Sequence, residues 1–389
     1  NEIKSPYKWV GKSPIRPDGI PKVTGTAKYG ADFTLPGTLY GKVLRSPHAH
    51  ARIKSIDTSK AEALAGVKAV VTEADCSDSY GVLPIAMNEW ALARGRVRYR
   101  GEPVAAVAAI DVATAQRALD LIEVTYEELP AYFTAEAARA EGAVLLHDDK
   151  PGNIERDAEF DLGDVDAELA AADLVREIDV NCAEVCQVQM EPHAAFAEYD
   201  GARERLTIRP STQVPFYVHK MLARTMGMAE GHIRVIKPHI GGGFGSRTET
   251  LQSDLIAGLL ARKARATVKV VLSREETFIT HRGRPESRIK MKVGMKADGT
   301  ITAVDFTVQQ RGGAYSGYGI VTILYSGSMI YGLYNIVSAR FQGVRVLTNT
   351  PPCGAFRGHG TVKTRFAFEN LIDGMATELG LDPFAVRRA

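Results

Sequence analysis

The chain has 389 residues, of which 48 are Lys or Arg and 46 are Asp or Glu, and its net charge is +2. With 45% hydrophobic and 24% charged residues, the composition is that of an ordinary soluble protein of two or three domains. The basic residues are scattered along the sequence, and no apolar run approaches the ~20 residues of a membrane span. We therefore expect a cytoplasmic protein with neither a nucleic-acid nor a membrane partner.

The first part of the chain, up to about residue 135, has the pattern of one α/β module. The run Pro103–Ile110 is apolar throughout, which is typical of a strand buried on both faces. Asp111 follows it and is placed to cap a helix, and Ser59 is placed to cap a smaller one. The elements predicted here are strands at 40–44, 68–72, 103–110 and 121–126, and helices after residue 59 and at 112–120.

The second part, from about residue 161, has the pattern of antiparallel strand pairs and amphipathic helices. The predicted hairpins join 193–199 to 206–209 and 288–297 to 301–309. In the second hairpin, Asp298-Gly299 supplies the two positive-φ positions that a type I′ turn requires. Helices are predicted at 249–264, with Thr248 as the cap, and at 361–379, ended by Gly380. Together these patterns predict an α+β (mixed α/β) fold.

The four cysteines are too few and too dispersed for a disulfide scaffold. Cys182 and Cys186 have helical i, i+4 spacing, but no further Cys or His completes a metal-binding set. We expect reduced thiols, with Cys76 and Cys353 also in the reduced state. Any iron–sulfur cluster used by this protein would then belong to another chain.

A glycine-rich stretch at residues 239–248, His-Ile-Gly-Gly-Gly-Phe-Gly-Ser-Arg-Thr, follows an apolar segment and precedes a predicted helix. We call it the glycine loop. Glycine admits positive φ and close approach of a ligand to the backbone, and a helix start offers unpaired N–H groups. The pattern is equally typical of a structural turn. It is neither a P-loop nor a dinucleotide fingerprint, because neither spacing is present.

A second glycine-interrupted stretch, residues 350–360, reads Thr-Pro-Pro-Cys-Gly-Ala-Phe-Arg-Gly-His-Gly. We call it the second loop. It can bring a cation, an imidazole and backbone amides to one ligand. Taken alone, His359 is more typical of a structural histidine and Arg357 of a surface charge.

Together, Gly-Gly-Gly-Phe-Gly and Ala-Phe-Arg-Gly-x-Gly about a hundred residues later resemble the molybdenum hydroxylases, the xanthine oxidase family. Further segments agree with the family at 16–19, 22–25, 27–29, 45–51, 101–105 and 190–192. Within the family the chain is most similar to the α subunits of 4-hydroxybenzoyl-CoA reductases, through residues 80–86, 281–285, 318–325 and 348–354. The resemblance covers essentially the whole chain.

The resemblance implies an aldehyde oxidase/xanthine dehydrogenase hammerhead domain followed by the first molybdopterin-binding domain. The expected divisions are an N-terminal arm at 1–19, the hammerhead domain at 20–135, a linker at 136–160 and the cofactor domain at 161–389. The family's second molybdopterin domain is expected to be absent from this chain, either supplied by a separate subunit or removed.

The resemblance also implies a cofactor and its residues. The cofactor is a molybdopterin, in the cytosine dinucleotide form, whose dithiolene sulfurs hold molybdenum in place of any protein ligand. Partner subunits are expected to carry 2Fe-2S and FAD. The implied cofactor-binding residues are Gly242, Gly243, Phe244, Gly245, Ala355, Phe356 and Arg357. The implied catalytic residues are Arg357 and His359, and the implied substrate pocket is Thr248, Tyr318, Tyr325 and His359.

The implied function is a molybdenum-dependent oxidoreductase subunit that acts on an aromatic substrate, in the manner of 4-hydroxybenzoyl-CoA reductase. One alternative is hydroxylation of an N-heteroaromatic ring or an aldehyde with oxygen from water; another is a non-catalytic assembly subunit. Purine-oxidising relatives have Glu at the position of Thr248 and Phe at that of His359. Many relatives also have Gln where this chain has Val185, so a purine substrate is disfavoured.

Overall fold

The computed structural model describes residues 7–388, so the first six residues of the predicted N-terminal arm and the final Ala389 lie outside the described residues. Within this range the chain forms three β-sheets with α-helices packed against them. The strands are β1 Leu39–Arg45, β2 Ala51–Asp57, β3 Val67–Val71, β4 Arg96–Val97, β5 Pro103–Ala109, β6 Glu123–Glu128, β7 Ile154–Leu162, β8 Leu174–Cys182, β9 Ala194–Asp200, β10 Arg205–Pro210, β11 Ile233–Val235, β12 Val268–Val271, β13 Ser287–Met295, β14 Ile301–Gly313 and β15 Ile336–Leu347.

The α-helices are mostly short. They are α1 Gly19–Val23, α2 Ser59–Glu62, α3 Val112–Asp120, α4 Ala135–Arg139, α5 Val165–Ala170, α6 Pro215–Met226, α7 Gln252–Ala264, α8 Arg274–Ile279, α9 Gly319–Ser328, α10 Thr361–Glu378 and α11 Pro383–Val386. Single 3₁₀ turns occur at Gly30–Asp32, Glu73–Asp75, Pro84–Ala86, Pro151–Asn153 and Glu230–His232. Across residues 7–388, none of these helices has both the length and the hydropathy needed to span a bilayer.

The largest sheet has seven strands in the order β11-β10-β9-β12-β1-β5-β3. Strand β1 pairs with β12 in parallel, with Leu39 opposite Val268, and on its other side it pairs with β5 in the antiparallel sense. Early strands of the chain therefore share one sheet with strands that follow residue 194. The predicted hairpin is confirmed as β9 and β10, which pair antiparallel.

Strand β5 is buried on both faces, as its apolar sequence predicts. Ala106 and Ala108 face the core formed with α6 and α7, whereas Ala105 and Val107 face α3. The helix prediction after this strand is also confirmed: Asp111 caps α3, and its carboxylate accepts the amide N–H of Thr114 at 2.6 Å.

The five-stranded sheet, in the order β7-β15-β14-β13-β8, packs one face against α9 and α10 through a core that includes Met291, Phe306, Phe341 and Phe368. Strands β14 and β15 are parallel neighbours, and α9 lies between them in the chain. Their carboxyl ends therefore meet at one edge of the sheet. A small third sheet has the order β4-β2-β6.

One turn prediction and one helix-cap prediction are wrong. The type I′ turn at Asp298-Gly299 is not formed, because only Gly299 has positive φ and the strands are joined by residues 296–300. The Asp298 carboxylate instead accepts the amide N–H of Thr300 at 3.0 Å, and the longer loop accommodates a register shift beside Met295. Ser59 is the first residue of α2 rather than its cap.

Two further elements differ from their predictions. Helix α7 begins at Gln252, not at 249, because the amide and hydroxyl of Thr248 both bond to the carbonyl of Gly245 and close a turn inside the glycine loop. The predicted linker contains the greater part of α4 and residues 154–160 of β7. In that strand Ala158 and Phe160 pack on the core, whereas the intervening charged residues obscured the alternation in the sequence.

Candidate functional site

Three segments meet at the carboxyl ends of strands. The glycine loop follows the short β11, the second loop follows β15, and α9 begins soon after β14 ends. The carboxyl edge of parallel strands is where open α/β sheets place their ligand crevices. The fold thus brings together the two loops, Tyr318 immediately before α9, and Tyr325 within it.

The glycine loop and the second loop are in direct contact. The amide N–H of Arg357 donates to the carbonyl of Phe244 at 2.9 Å. Gly245 has φ +108°, and a Cβ at this position would collide with the carbonyl oxygen of Ala355. Glycine is therefore required at 245 both for backbone conformation and for the approach of the second loop.

One carboxylate holds both ends of the glycine loop. Oε2 of Glu191 accepts the amide N–H of Gly241 and Nη1 of Arg247, each at 2.7 Å. Oε1 accepts the Ser211 hydroxyl at 2.7 Å and the Gly30 amide at 3.1 Å. Burial lowers the pKa of Arg247, and the negative charge of Glu191 opposes that effect. The loop is anchored in the core, which limits its movement.

Between these anchors, three consecutive amides have no partner. Among residues 7–388, no hydrogen bond uses the N–H groups of Gly242, Gly243 or Phe244. Gly242 and Phe244 have positive φ, +102° and +53°, and the Phe244 side chain is 48% exposed. Successive free amides of this kind form a concave site for an anionic or oxygen-rich group.

A buried ion pair stabilises the backbone of the second loop. Arg345 of β15 contacts Glu155 of β7, and both side chains are fully buried. Nη2 of Arg345 also donates to the carbonyls of Gly312 at 2.7 Å and Cys353 at 2.9 Å. A buried charge that is paired and bonded to carbonyls holds its neighbours in one arrangement, and losing one partner is costly.

The outer part of the second loop is supported by Arg284. Its guanidinium lies over the ring of Phe356, 4.4 Å from the centroid, and donates to the carbonyl of Arg357 at 2.7 Å. The side chain of Arg357 is exposed, and in the described part of the chain it makes no hydrogen bond, ion pair or ring contact. A charged group on a fixed backbone is thus left available to a ligand.

His359 stands between two tyrosines. Its ring lies edge-on to Tyr318 and Tyr325, with centroids at 5.3 and 5.0 Å. Its Nε2 is buried and has no hydrogen-bond partner among residues 7–388. Burial lowers the pKa of His359, so the imidazole is neutral at pH 7. We call these three residues the histidine–tyrosine group.

Thr248 is not joined to the histidine–tyrosine group by any hydrogen bond in the described range, since its hydroxyl is bonded to Gly245. Behind the group lies Glu249, which accepts a hydrogen bond from the Tyr318 backbone. A Cβ on Gly354 would collide with the carboxylate of Glu249. Glu249 therefore contacts both the start of α9 and the second loop. Burial raises the pKa of Glu249, and Arg282 opposes the shift.

Comparison with known families identifies the chain. The molybdopterin cofactor-binding domain family matches residues 146–389, and the aldehyde oxidase and xanthine dehydrogenase a/b hammerhead domain matches residues 24–130. The chain belongs to the molybdenum hydroxylase family. The predicted family, its fold and the hammerhead domain before a molybdopterin-binding domain are thereby confirmed.

Curated relatives of this molybdenum hydroxylase chain include a xanthine dehydrogenase molybdenum-binding subunit of Escherichia coli O157:H7, 33% identical over 96% of this chain and 50% of that protein. The nicotinate dehydrogenase large molybdopterin subunit of Eubacterium barkeri is 34% identical over 98% of this chain and 89% of its own. The chain thus spans about half the length of several relatives and most of the length of another.

The chain also superposes closely on solved structures. Quinoline 2-oxidoreductase from Pseudomonas putida 86 superposes with a TM-score of 0.88 at 33% identity, over 97% of this chain and 49% of that one. The aldehyde oxidoreductase of Desulfovibrio gigas gives 0.88 at 30% identity, over 96% and 42%.

The residues of this hydroxylase chain fit a molybdopterin. The three unpaired amides at 242–244 can receive an oxygen-rich group, and within residues 7–388 no set of three His, Cys, Asp or Glu side chains is arranged to hold a metal ion. A cofactor that brings its own metal ligands is compatible with such a site. All four cysteines are free.

Several supporting residues were not assigned a role from the sequence. Glu191 and Arg284 were noted only as parts of family segments, and Arg345, Glu155 and Glu249 were not noted. Arg345 lies within a largely apolar strand and Glu249 at a predicted helix start, and a charge in such a place indicates a buried and paired group.

Proposed function

We propose that this chain provides the molybdopterin-binding surface of a multi-subunit molybdenum-dependent oxidoreductase that acts on an aromatic ring. Family membership and the contact between the two loops support the cofactor. The histidine–tyrosine group beside the second loop is the observation on which the aromatic substrate rests. Aromatic rings prefer edge-to-face partners of this kind, and a buried unpartnered nitrogen favours a polar atom on the ligand.

The cofactor would lie against the amides of Gly242, Gly243 and Phe244 and against the Ala355–Arg357 segment. We propose the cytosine dinucleotide form, with a second molybdopterin-domain subunit and with 2Fe-2S and FAD subunits as partners. When bound, the molybdenum centre exchanges two electrons with the substrate and with these partners.

The chain's own side chains would orient the ring. Neutral His359 can donate from Nε2 to a ring nitrogen or hydroxyl, or accept from one in its other tautomer. Burial and the neighbouring Tyr325 raise the pKa of Tyr318, so this phenol stays neutral. The guanidinium of Arg357 stays charged at any working pH and can bind a carboxylate or stabilise negative charge that develops on the ring.

We propose hydroxylation of an N-heteroaromatic ring as the reaction. The ring loses a C–H bond and gains a C–OH bond, the oxygen comes from water, and two electrons and two protons leave. Two relatives support this choice, since their names specify nicotinate and quinoline as substrates.

A second candidate is reductive removal of the para-hydroxyl from a hydroxybenzoyl-CoA thioester. This reaction takes up two electrons and two protons and releases water. The observation that favours it is a cluster of cations beside the glycine loop, which could receive the phosphates of coenzyme A.

One experiment separates these functions. The complex would be purified from cells that express the neighbouring subunits, and molybdenum, iron and flavin would be measured per chain. Turnover would then be assayed with nicotinate and quinoline plus an acceptor dye in ¹⁸O-labelled water, and with 4-hydroxybenzoyl-CoA plus a reduced donor. Labelled product supports the hydroxylase, loss of the para-hydroxyl supports the reductase, and a complete but metal-free complex would leave only an assembly role.

A further inference from the structure

Lys363 lies in the first turn of α10, just beyond the second loop, and its side chain is buried. Its Nζ atom donates to the carbonyl oxygens of Cys182 at 3.1 Å and Ala183 at 3.0 Å, and also to that of Pro285. An ammonium group has three N–H donors, so all of them are used. The end of β8 and the segment before β13 are thus joined at one atom.

Within the described residues, the charge of Lys363 is balanced by carbonyl oxygens and not by an ion pair. The nearby Glu184 pairs instead with Arg311 and with His281. Burial lowers the pKa of Lys363 to about 8, so the amine is largely protonated at pH 7. Buried cations are rare unless paired, and the first turn of a helix disfavours positive charge. A lysine in this position indicates a role outside α10 itself.

The bonds of Lys363 close a ring around the outer part of the second loop. One side of the ring is the chain itself, from Arg357 to Lys363. The other side is the bond from Lys363 to the carbonyl of Pro285, followed by the preceding residue, Arg284. The guanidinium of Arg284 completes the ring, since it donates to the carbonyl of Arg357 at 2.7 Å. Proline has a fixed φ, which stiffens this closure. We call it the lysine clamp.

The lysine clamp encloses Gly358, His359 and Gly360. Both glycines have φ +77°, and glycine has more conformational freedom to lose than any other residue. The stretch therefore needs contacts from other segments to keep one arrangement. Ser326 provides one of them, since its hydroxyl donates to the carbonyl of Gly360 at 2.8 Å. The lysine clamp provides another, at the end of the stretch that includes Arg357.

We propose that Lys363 is a positioning residue for the reaction: by closing the lysine clamp, it holds Arg357 in the arrangement that meets the substrate. The inference rests on the proposed function, which places the Arg357 guanidinium at the ring. Without the ammonium, three carbonyls lose a donor, and the loop gains freedom to move. Turnover should fall more than cofactor content, because Glu191 anchors the glycine loop separately.

The test compares three substitutions in the whole complex. Lys363→Met retains the length of the side chain but removes the charge and the donors, whereas Lys363→Arg retains both. The matched control is Arg365→Met on the same helix, which removes a cation that donates to the carbonyl of Met329 at 2.8 Å. Melting temperature and molybdenum per chain are measured for each protein, so that turnover can be expressed per molybdenum.

Hydrogen exchange of residues 354–362 reports on the lysine clamp without any substrate. In the closed clamp the amides of Arg357 and Thr361 are hydrogen-bonded. Exchange of this segment at pH 7 should be about tenfold faster in Lys363→Met than in the wild type, and unchanged in the control. The proposal is overturned if Lys363→Met exchanges like the wild type, or if the control exchanges as fast as Lys363→Met. If Lys363→Met does not assemble, Lys363→Gln replaces it, because its shorter side chain has only two donors.

Turnover shows whether the lysine clamp acts through Arg357. In Lys363→Met, kcat per molybdenum should fall about tenfold, and Lys363→Arg should recover most of it. Combined with Arg357→Met, Lys363→Met should cause little further loss, because the side chain that it positions is already absent. Losses that add in the double variant overturn the proposal. A complex that turns over none of the ring substrates contradicts the proposed function, whereas hydrogen exchange still decides whether Lys363 holds the loop.

Discussion

The amide nitrogen of Arg357 lies 2.9 Å from the carbonyl oxygen of Phe244, and this hydrogen bond joins two loops that are more than a hundred residues apart in the chain. Because Gly245 lies against the backbone of Ala355 at the same contact, neither loop can move away from the other without losing packing. The positions of the free amides and of the Arg357 side chain are therefore linked.

Alanine substitution of Gly245 and of Gly243 should have unequal effects on cofactor content and stability. In Gly245→Ala the new Cβ meets backbone at φ +108°, whereas in Gly243→Ala it meets the amide oxygen of the flexible Gln213 side chain. Positive φ at a non-glycine residue costs about 1–3 kcal/mol, before the clash is counted. We expect Gly245→Ala to lower both molybdenum content and melting temperature, and Gly243→Ala to change either much less. Equal effects would contradict the direct contact between the loops.

Substitution of Arg357 should affect turnover without affecting cofactor content. Its side chain is exposed and unpartnered among the described residues, so Arg357→Lys and Arg357→Met should retain the wild-type melting temperature. Removal of one preorganised donor costs about 2–4 kcal/mol of transition-state stabilisation, a loss of roughly 30- to 1000-fold in rate. Activity per molybdenum is the measurement. Arg284→Met is the contrasting variant, because it removes support for the Phe356 ring and should lower stability.

Protonation of the neutral imidazole of His359 should lower kcat/KM on the acidic side of the pH profile. Its pKa is lowered by burial, so it becomes charged only below about pH 6.5, where Nε2 can no longer accept a hydrogen bond from a hydroxyl or N–H group of the bound ring. His359→Phe keeps a ring between Tyr318 and Tyr325 but removes the nitrogen, and KM should rise about five- to tenfold. The acidic limb of the profile should disappear in this variant. An unchanged profile would remove His359 from the substrate site.

Asp254 should make the protein less stable as pH rises from about 4 to 7. Burial raises the pKa of this carboxyl to about 7, above its unfolded value of roughly 3.9, so the folded state binds the proton more tightly in this window. The stability that the protonated carboxyl contributes is fully present below the unfolded pKa. As the pH rises toward the folded pKa, the free energy of unfolding falls by up to about 1.4 kcal/mol per pH unit.

The check on Asp254 is the free energy of unfolding at pH 5, 6 and 7. Asp254→Asn retains an oxygen that can accept from the Leu251 amide but removes the titration, so its dependence on pH should be shallower than that of the wild type. Glu102, whose pKa burial also raises to about 7, should account for part of the remaining slope. Asp164→Asn, at an exposed helix cap, provides the control. Parallel curves for wild type and Asp254→Asn would contradict the prediction.

The sequence predicts those features whose cause is local. The helix after Asp111 follows from one cap and a short amphipathic pattern, and β5 follows from an unbroken apolar run. The two loops were found because their residues form a family motif. Placement of His359 with Tyr318 and Tyr325 followed from the same resemblance, and the structure gives it a physical reason, since parallel β14 and β15 end at one edge.

The features that the sequence did not predict depend on long-range pairing. The carboxylate of Glu191 contacts residues from three distant segments, and no local pattern specifies which amides it will accept. The cations beside the glycine loop are a similar case, because Lys28 and Lys237 line one groove only after the strands between them have paired. Strand β7 was missed because its outward face is charged, which resembles a linker when the partner strand is unknown.

The seven-stranded sheet has a consequence for how this chain can be divided. Strand β1 fills the space between β12 and β5, and it is held to β12 by backbone pairing at residues 39–41. Removal of the early strands would expose the edge of β12 and the apolar faces of α7, an arrangement that favours intermolecular strand pairing. A fragment that contains both loops but lacks these strands should therefore aggregate, and adding the missing fragment during refolding should restore a stable heterodimer.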